Sequence, residues 1–211
     1  MVPRVYLITD RQATGGRRLA DVVATALRGA GPAAAQVAVQ LREKDLSGRA
    51  LLQLACELRA IVSAAGAAFF VNERVDVALA ANADGVHLPV SALSVSDVRR
   101  IAPHLCIAVS THDLSQVESA AQAGADFVVF GPVFDTPSKR VYGPPKGLQG
   151  LERACASAIP VIALGGIDNS NAESCIRVGA YGIAAIRAVM AVDDSAGTLA
   201  RLLSICVRTA T

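Results

Sequence analysis

Two cationic side chains and an amide follow one another at the end of an apolar run near residues 36–42. Gln40 and Arg42 alternate with apolar residues in this run, and Lys44 comes two residues later. If the run is a β-strand, alternate side chains point to the same face, which places Gln40 and Arg42 together with Lys44 in the loop above them. An inward charge without a ligand is costly. These residues therefore indicate an anion-binding site, with a solvated charged loop as the alternative.

Acidic and imidazole side chains follow the next two apolar runs. Asn72 and Glu73 end the run near 67–72, and His87 lies in the run near 85–88. The carboxylate of Glu73 suits a divalent cation held beside a phosphate. The alternative is an acid favoured by the dipole at the start of a helix. For His87, a hydrogen-bonded position in the core is the preferred interpretation, ahead of a role as a ligand.

Hydroxyl and imidazole groups follow the apolar run near residues 105–110. Ser110 and His112 offer a hydroxyl donor and a base that titrates near neutral pH, and we expect both to act in the site. Thr111 lies between them, although Thr111 or Asp113 is also suited to cap a helix that begins near residue 114. This segment therefore adds donors to the same predicted site.

The segment 131–147 is too long for a simple connection between two elements. Its Thr136, Ser138 and Lys139 form a set of two hydroxyls and a cation that is suited to closing over phosphate oxygens as a lid. The glycines and loops after the last two apolar runs can also bring backbone N–H groups close to an anion, although Gly-Gly pairs are also frequent in ordinary turns. The candidates there are Gly165, Gly166, Ile186 and Arg187.

The elements that must position these residues repeat along the chain. Short continuous apolar runs alternate with amphipathic stretches, which is typical of covered parallel strands with crossover helices. Eight such units, without a linker-like change in composition, predict that residues 1–211 form one domain, a single (β/α)₈ TIM barrel of the α/β class. A doubly wound open sheet is the alternative, but no G-x-G-x-x-G turn follows the first strand.

The predicted elements have approximate limits. The strands are expected near residues 4–9, 36–42, 67–72, 85–88, 105–110, 126–131, 160–165 and 182–186. The helices are expected near residues 18–29, 47–65, 74–82, 94–102, 114–123, 148–157, 169–178 and 195–207. A local repeat at residues 82–88, 123–130 and 178–185 passes each time from a helix end into a buried strand and supports these limits. In the last two segments, Gly124 and Gly179 stand where a helix C-cap requires a left-handed residue. Since active sites of TIM barrels lie at the carboxyl ends of the strands, the candidates are expected to meet at one rim.

The overall composition excludes several other classes of protein. The 20 Lys and Arg against 18 Asp and Glu leave a net charge of +2, which is no excess for binding nucleic acid. No apolar run approaches the ~20 residues that a bilayer-spanning helix requires, and no export signal is evident. The five cysteines are widely separated and mostly in apolar patterns, which indicates reduced thiols. We therefore expect a cytoplasmic protein without nucleic-acid or membrane partners, and a homodimer is compatible with this apolar composition.

Seven segments at the predicted strand ends also carry a family resemblance. They are residues 7–10, 39–44, 71–76, 84–88, 109–112, 130–139 and 163–167. Together, in order over nearly the whole chain, they resemble the thiamin phosphate synthase family, which also contains the thiazole tautomerases. The resemblance implies a TIM barrel that joins an aminopyrimidine methyl diphosphate to a thiazole phosphate and releases diphosphate in the presence of Mg²⁺. In that family the pyrimidine ionises to a carbocation, which the thiazole nitrogen captures.

The resemblance also implies roles for the candidate residues. The phosphorylated pyrimidine and thiazole would be the small-molecule partners. The residues expected to be catalytic are Arg42, Lys44, Ser110, His112 and Lys139. The residues expected to bind substrate are Gln40, Asn72, Thr136, Ser138, Gly165, Gly166, Ile186 and Arg187.

Three positions depart from the pattern of the synthases. Glu73 and Ala92 stand where the family has two magnesium-binding aspartates, and Arg187 replaces a small hydroxyl residue. Losing one anionic ligand weakens a Mg²⁺ site, although a bound diphosphate supplies most of the ligands itself. Mg²⁺ is therefore expected as the cofactor of a weakened site that retains Glu73.

Two alternative functions remain open at this point. The Leu-Pro that follows His87 resembles the tautomerases, which aromatise the thiazole phosphate precursor without a metal and in which His112 would be the acid and base. Because Lys44 and the Thr-Pro-Ser-Lys loop are retained, the synthase is the preferred hypothesis. A third hypothesis is a barrel that binds a thiamin-related phosphate without turnover.

Overall fold

Eight parallel strands form a closed barrel in the computed structural model, which describes residues 1–136 and 144–208. Each strand pairs with its neighbours in sequence, and β8 pairs with β1. The strands are β1 (Val5–Ile8), β2 (Val37–Leu41), β3 (Ala68–Asn72), β4 (Gly85–Leu88), β5 (Cys106–Thr111), β6 (Phe127–Phe130), β7 (Val161–Leu164) and β8 (Gly182–Ala185). The predicted TIM barrel is confirmed, and the open sheet is excluded because a closed barrel has no edge.

Helices surround the barrel on the outside. They are α1 (Leu19–Ala30), α2 (Gly48–Ala64), α3 (Val75–Ala80), α4 (Val95–Ile101), α5 (Leu114–Gln122), α6 (Gly147–Cys155), α7 (Ala172–Arg177), α8 (Arg187–Met190) and α9 (Ser195–Arg208). Short 3₁₀ helices cover Arg11–Thr14 and Gly31–Gln36. The eight predicted strands agree with the observed ones to within one residue at each end. The sequence did not predict α8, because four residues are too few to show a helical period.

The interior of the barrel is filled by an aromatic layer. Tyr6, Phe70 and Phe127 are fully buried or nearly so, and their rings meet edge to face with centroids 5.5–5.8 Å apart. Gly85 completes this layer, because a Cβ atom there would overlap the ring of Phe70. On β2, β3, β4 and β5, the inward position nearest the carboxyl end is polar, whereas Ile8 and Val129 keep β1 and β6 apolar there. This polar layer consists of Gln40, Asn72, His87 and Ser110.

The repeated segments serve the opposite end of the barrel. Asp84 and Asp126 accept the backbone N–H of the second residue of β3 and of β5, at 2.7 and 2.6 Å. Gly124 and Gly179 follow the preceding helices with φ of 85° and 102°. The predicted left-handed helix ends are therefore confirmed. The two aspartates thus connect the starts of β3 and β5 to the loops that precede β4 and β6, at the end of the barrel away from the polar layer.

The five cysteines are free thiols. Cys175 and Cys206 are buried on α7 and α9, and burial raises the pKa of Cys206 to about 12 and that of Cys175 to about 11. Such thiols pack as small apolar side chains and are poor nucleophiles. Over the described residues, no helix has both the length and the apolar character to cross a membrane.

Candidate active site

Gln40 and Asn72 form a buried pair at the carboxyl ends of β2 and β3. The side-chain N–H of Gln40 donates to Oδ1 of Asn72 at 3.2 Å, and the two side chains are 1% and 9% exposed. Within the described residues, Oε1 of Gln40 is buried without a hydrogen-bond partner. A buried acceptor that lacks a partner is uncommon and destabilising. This oxygen is therefore suited to accept a hydrogen bond from a ligand.

A buried hydrogen-bond network fixes the backbone at Arg42. Its N–H donates to Oγ1 of Thr9 at 2.9 Å, and the Thr9 hydroxyl donates to Oε1 of Glu43 at 2.8 Å. Glu43 also accepts the backbone N–H of Arg11 at 3.1 Å. Burial raises the pKa of Glu43, and the hydrogen bonds from Thr9 and Arg11 lower it in part. The sequence did not single out Thr9 or Glu43, because alternation turns Glu43 away from the barrel interior.

His87 is a neutral imidazole within the polar layer. Burial, and to a smaller extent the guanidinium of Arg42, lowers the pKa of His87 to about 3. Arg42 follows the carboxyl end of β2 and is half-buried. Nε2 of His87 lies 2.7 Å from Oγ of Ser110, and Nδ1 lies 3.3 Å from the hydroxyl of Tyr6. His87 is thus a hydrogen-bonded core residue, as expected, and it also contacts a predicted site residue.

The three candidate residues at the end of β5, Ser110, Thr111 and His112, lie in different environments. Ser110 is half-buried and belongs to the polar layer, whereas Thr111 is fully buried on the helix-facing side. His112 is exposed in the loop that follows β5, and its Nδ1–H donates to the carbonyl oxygen of Gly131 at 2.5 Å. Asp113, and not Thr111, caps α5 by accepting the N–H of Gln116 at 2.9 Å.

The glycines after β7 allow two loops to pack closely. Gly165 and Gly166 have φ of 106° and 64°. A Cβ atom on Gly165 would lie 2.6 Å from Pro132, and one on Gly166 would lie 2.7 Å from the carbonyl oxygen of Asp135. The loop after β6 therefore requires both glycines. Ile186 and Arg187, at the start of α8, are half-buried and exposed on the same rim.

The remaining predicted residues lie around the rim or outside the described part. Lys44 and Glu73 are exposed in the loops after β2 and β3, and Thr136 is half-buried in the loop after β6. Arg42 and Gly166 follow the carboxyl ends of two strands of one parallel barrel, so they lie at the same end of the molecule. Ser138 and Lys139 lie outside the described residues, and their positions stay predictions.

The residues present do not fit a metal site formed by protein ligands. Glu73 is exposed with a φ of 64°, and Ala92 has no ligand atom and packs against the apolar core. In residues 1–136 and 144–208, no group of three or more His, Cys, Asp or Glu side chains is arranged to hold a metal ion. Mg²⁺ commonly uses one or two carboxylates with phosphate oxygens and water. Glu73 supplies one carboxylate at most, so the protein's own side chains are too few to hold the ion.

The fold and the rim define the class of this protein: a TIM barrel whose polar and cationic layer lies at the carboxyl ends of its strands, where enzymes of this fold have their active sites. The model of the family described as Thiamine monophosphate synthase matches residues 5–189. The chain belongs to this family, and the resemblance found in its sequence is confirmed.

Individual relatives support this assignment. The protein named Thiamine-phosphate synthase from Roseiflexus castenholzii is 46% identical over 192 residues, which cover 90% of this chain and 82% of the relative. The one from Chloroflexus aurantiacus is 41% identical over 193 residues, 90% of this chain and 87% of the relative. The solved structure of thiamine phosphate pyrophosphorylase from Pyrococcus furiosus has a TM-score of 0.89 at 34% identity, covering 99% of this chain and 97% of that one. These comparisons give no support to the tautomerase or to the non-catalytic binder.

Proposed function

We propose that this protein is a thiamine-phosphate synthase, a transferase that joins an aminopyrimidine methyl diphosphate to a thiazole phosphate. The C–O bond between the pyrimidine methylene and the diphosphate breaks, and its electron pair leaves with the diphosphate. The methylene carbon then carries positive charge that the pyrimidine ring shares. The lone pair of the thiazole nitrogen forms the new C–N bond and yields thiamin phosphate.

The observation that supports this function most directly is the polar layer at the rim. The unpartnered Oε1 of Gln40 is suited to accept an N–H of the pyrimidine amino group, and its own N–H holds Asn72 in place. Arg42 and Lys44 supply positive charge where the diphosphate leaves. Because the protein has no bond of its own to make, its contribution is to position the two rings and to stabilise the departing anion.

The remaining candidates complete the proposal. Ser110 and Lys139 would assist the diphosphate, and His112 stays a candidate for proton transfer at the rim. The thiazole phosphate would bind at the loops after β6, β7 and β8, where backbone N–H groups and hydroxyls can face an anion. The residues proposed for it are Thr136, Ser138, Gly165, Gly166, Ile186 and Arg187.

The test is diphosphate release by the purified protein. We expect release only when both substrates are present, and no release with both substrates would reject the function.

Gln40→Leu is expected to raise KM for the pyrimidine substrate. Arg42→Ala is expected to lower kcat by about 10²- to 10³-fold, as when one donor to a developing anion is removed. Arg28→Ala, on the exposed face of α1, is the matched control and keeps wild-type kinetics. Running each assay in EDTA and in added Mg²⁺ tests whether the reaction needs Mg²⁺, since a bound diphosphate can supply most of the ligands that this protein lacks.

We also propose a cytoplasmic location, a homodimer and a single domain for residues 1–211. The five free thiols, two of which are buried, support the location, and the apolar composition supports the dimer. Cell fractionation tests the location, light scattering tests the dimer, and limited proteolysis tests the single domain. A monomeric mass, or a stable proteolytic fragment much smaller than the chain, would contradict the respective proposal.

A further inference from the structure

A chain of three hydrogen-bonding side chains leads from the centre of the barrel to its rim. The hydroxyl of Tyr6 lies 3.3 Å from Nδ1 of His87, and Nε2 of His87 lies 2.7 Å from Oγ of Ser110. Tyr6 is fully buried and His87 is 4% exposed, whereas Ser110 is half-buried at the mouth. The Tyr6 and His87 rings are also stacked, with an angle of 11° between their planes. The imidazole is therefore held in one orientation between an inner and an outer hydroxyl.

The donors and acceptors can be assigned from the inner end of this chain. Within the described residues, Nδ1 of His87 is the hydrogen-bond partner that the structure gives to the Tyr6 hydroxyl. If Nδ1 carried the proton, the O–H of Tyr6 would be buried without an acceptor, and such orphaned donors are rare. Nδ1 therefore accepts from Tyr6. A neutral imidazole carries a single proton, which then lies on Nε2 and is donated to Oγ of Ser110.

The charge state of the ring agrees with this assignment. The hydrogen bonds of His87 go to two hydroxyls, so neither of them neutralises a positive ring. Burial, and to a smaller extent the positive charge of Arg42, lowers the pKa of His87 to about 3. Because the ring is neutral, one nitrogen donates a hydrogen bond and the other accepts one, so the tautomer decides whether Ser110 receives or donates a hydrogen bond.

We propose that His87 is a positioning residue that makes the Ser110 hydroxyl a hydrogen-bond donor to the leaving diphosphate, with Tyr6 setting the tautomer. Oγ of Ser110 accepts Nε2–H, so the hydroxyl hydrogen is left to point into the mouth. In the opposite tautomer Nε2 is an acceptor, so the Ser110 hydroxyl would donate its hydrogen bond to Nε2. Ser110 would then present only lone pairs to the mouth, and these repel a phosphate oxygen. This inference rests on the proposed function, since it requires an anion bound beside Ser110.

The tautomer can be measured without any activity, by ¹⁵N NMR of the imidazole nitrogens in the full chain at neutral pH. The protein has three histidines, and His104→Leu and His112→Leu identify the other two signals. We expect His87 to show a protonated Nε2 and an unprotonated Nδ1. A protonated Nδ1 on His87 would overturn the proposal whether or not the protein is a synthase.

Kinetics test whether His87 acts through Ser110. Ser110→Ala is expected to lower kcat by about 10²- to 10³-fold. His87→Leu is expected to lower kcat by about 10- to 100-fold with little change in KM, as when the partner that orients a metal ligand is removed. His87→Gln, whose amide N–H can replace Nε2–H, should recover part of this loss. In the Ser110→Ala background, His87→Leu should cause no further loss, because the two residues act as one unit.

His104→Leu is the control for these kinetic measurements. His104 is exposed in the loop before β5, at the other end of the barrel, and His104→Leu should leave kcat unchanged. Full additivity of His87→Leu and Ser110→Ala would show that His87 supports the fold alone and would overturn the proposal. A wild-type protein without synthase activity would reject the proposed function, while the NMR measurement would still decide the tautomer.

Discussion

Replacing His87 by glutamine should weaken the response of the protein's stability to acid. Burial, followed by the charge of Arg42, lowers the pKa of His87 to about 3 from 6.5. Between these two values the unfolded chain binds a proton that the folded protein does not bind. The free energy of unfolding therefore falls as the pH falls through this window, and the contribution of His87 is fully present only above pH 6.5.

The size of the effect follows from this window. One proton bound only by the unfolded state changes the unfolding constant tenfold for each pH unit. Across the whole window this amounts to roughly 5 kcal/mol, and between pH 7 and pH 5 to about 2 kcal/mol. Carboxylates also titrate near the lower end, but they are common to the wild type and to a variant at position 87.

The assay is urea unfolding followed by circular dichroism at pH 7 and pH 5. His87→Gln is expected to be less stable than the wild type at pH 7, and the gap should shrink by about 2 kcal/mol at pH 5 because glutamine does not titrate. His104→Gln, in an exposed position, is the matched control and should keep the wild-type gap between the two pH values. An equal stability difference between wild type and His87→Gln at both pH values would refute the reasoning.

Two further substitutions test the packing and the network beneath the rim. Gly85→Ala places a methyl group against the ring of Phe70 and should destabilise the fold by about 1–3 kcal/mol in urea unfolding. Gly48→Ala, which meets only the end of a flexible arginine side chain, is its control, and equal stability of the two variants would contradict the packing argument. Thr9→Val removes the hydroxyl that accepts the N–H of Arg42 at 2.9 Å and should lower stability by about 1–3 kcal/mol. It should also lower kcat, and a fall in Tm with unchanged kcat would show that the network does not serve the site.

The barrel was predictable because its strands are covered on both faces. Such strands appear as continuous apolar runs, and a polar residue is tolerated only where the chain emerges at the rim. The limits of β2 and β4 could therefore be predicted to within one residue. The four-residue helix α8 was not predictable, because it is too short for a periodic signal.

Part of the candidate site could also be predicted from the sequence. Gln40 was recognised because it alternates with Arg42 in a strand where an inward charge without a ligand is costly. Asn72 was assigned through the family resemblance, and the structure brings the two residues together. Thr9 and Glu43 were missed. Their hydrogen bond joins residues 34 positions apart in the chain, and no local pattern specifies such a pair.

The order of residue types along the chain was sufficient to define the eight units and the rim on which the polar side chains lie, since parallel strands in a closed barrel all end on the same side. The pairing of those side chains required three dimensions. Whether Oε1 of Gln40 has a partner, and which nitrogen of His87 carries a proton, depends on atoms from strands that are distant in sequence. Hydrogen bonds are short and directional, so a spacing in sequence specifies a face of the barrel but not the partner found there.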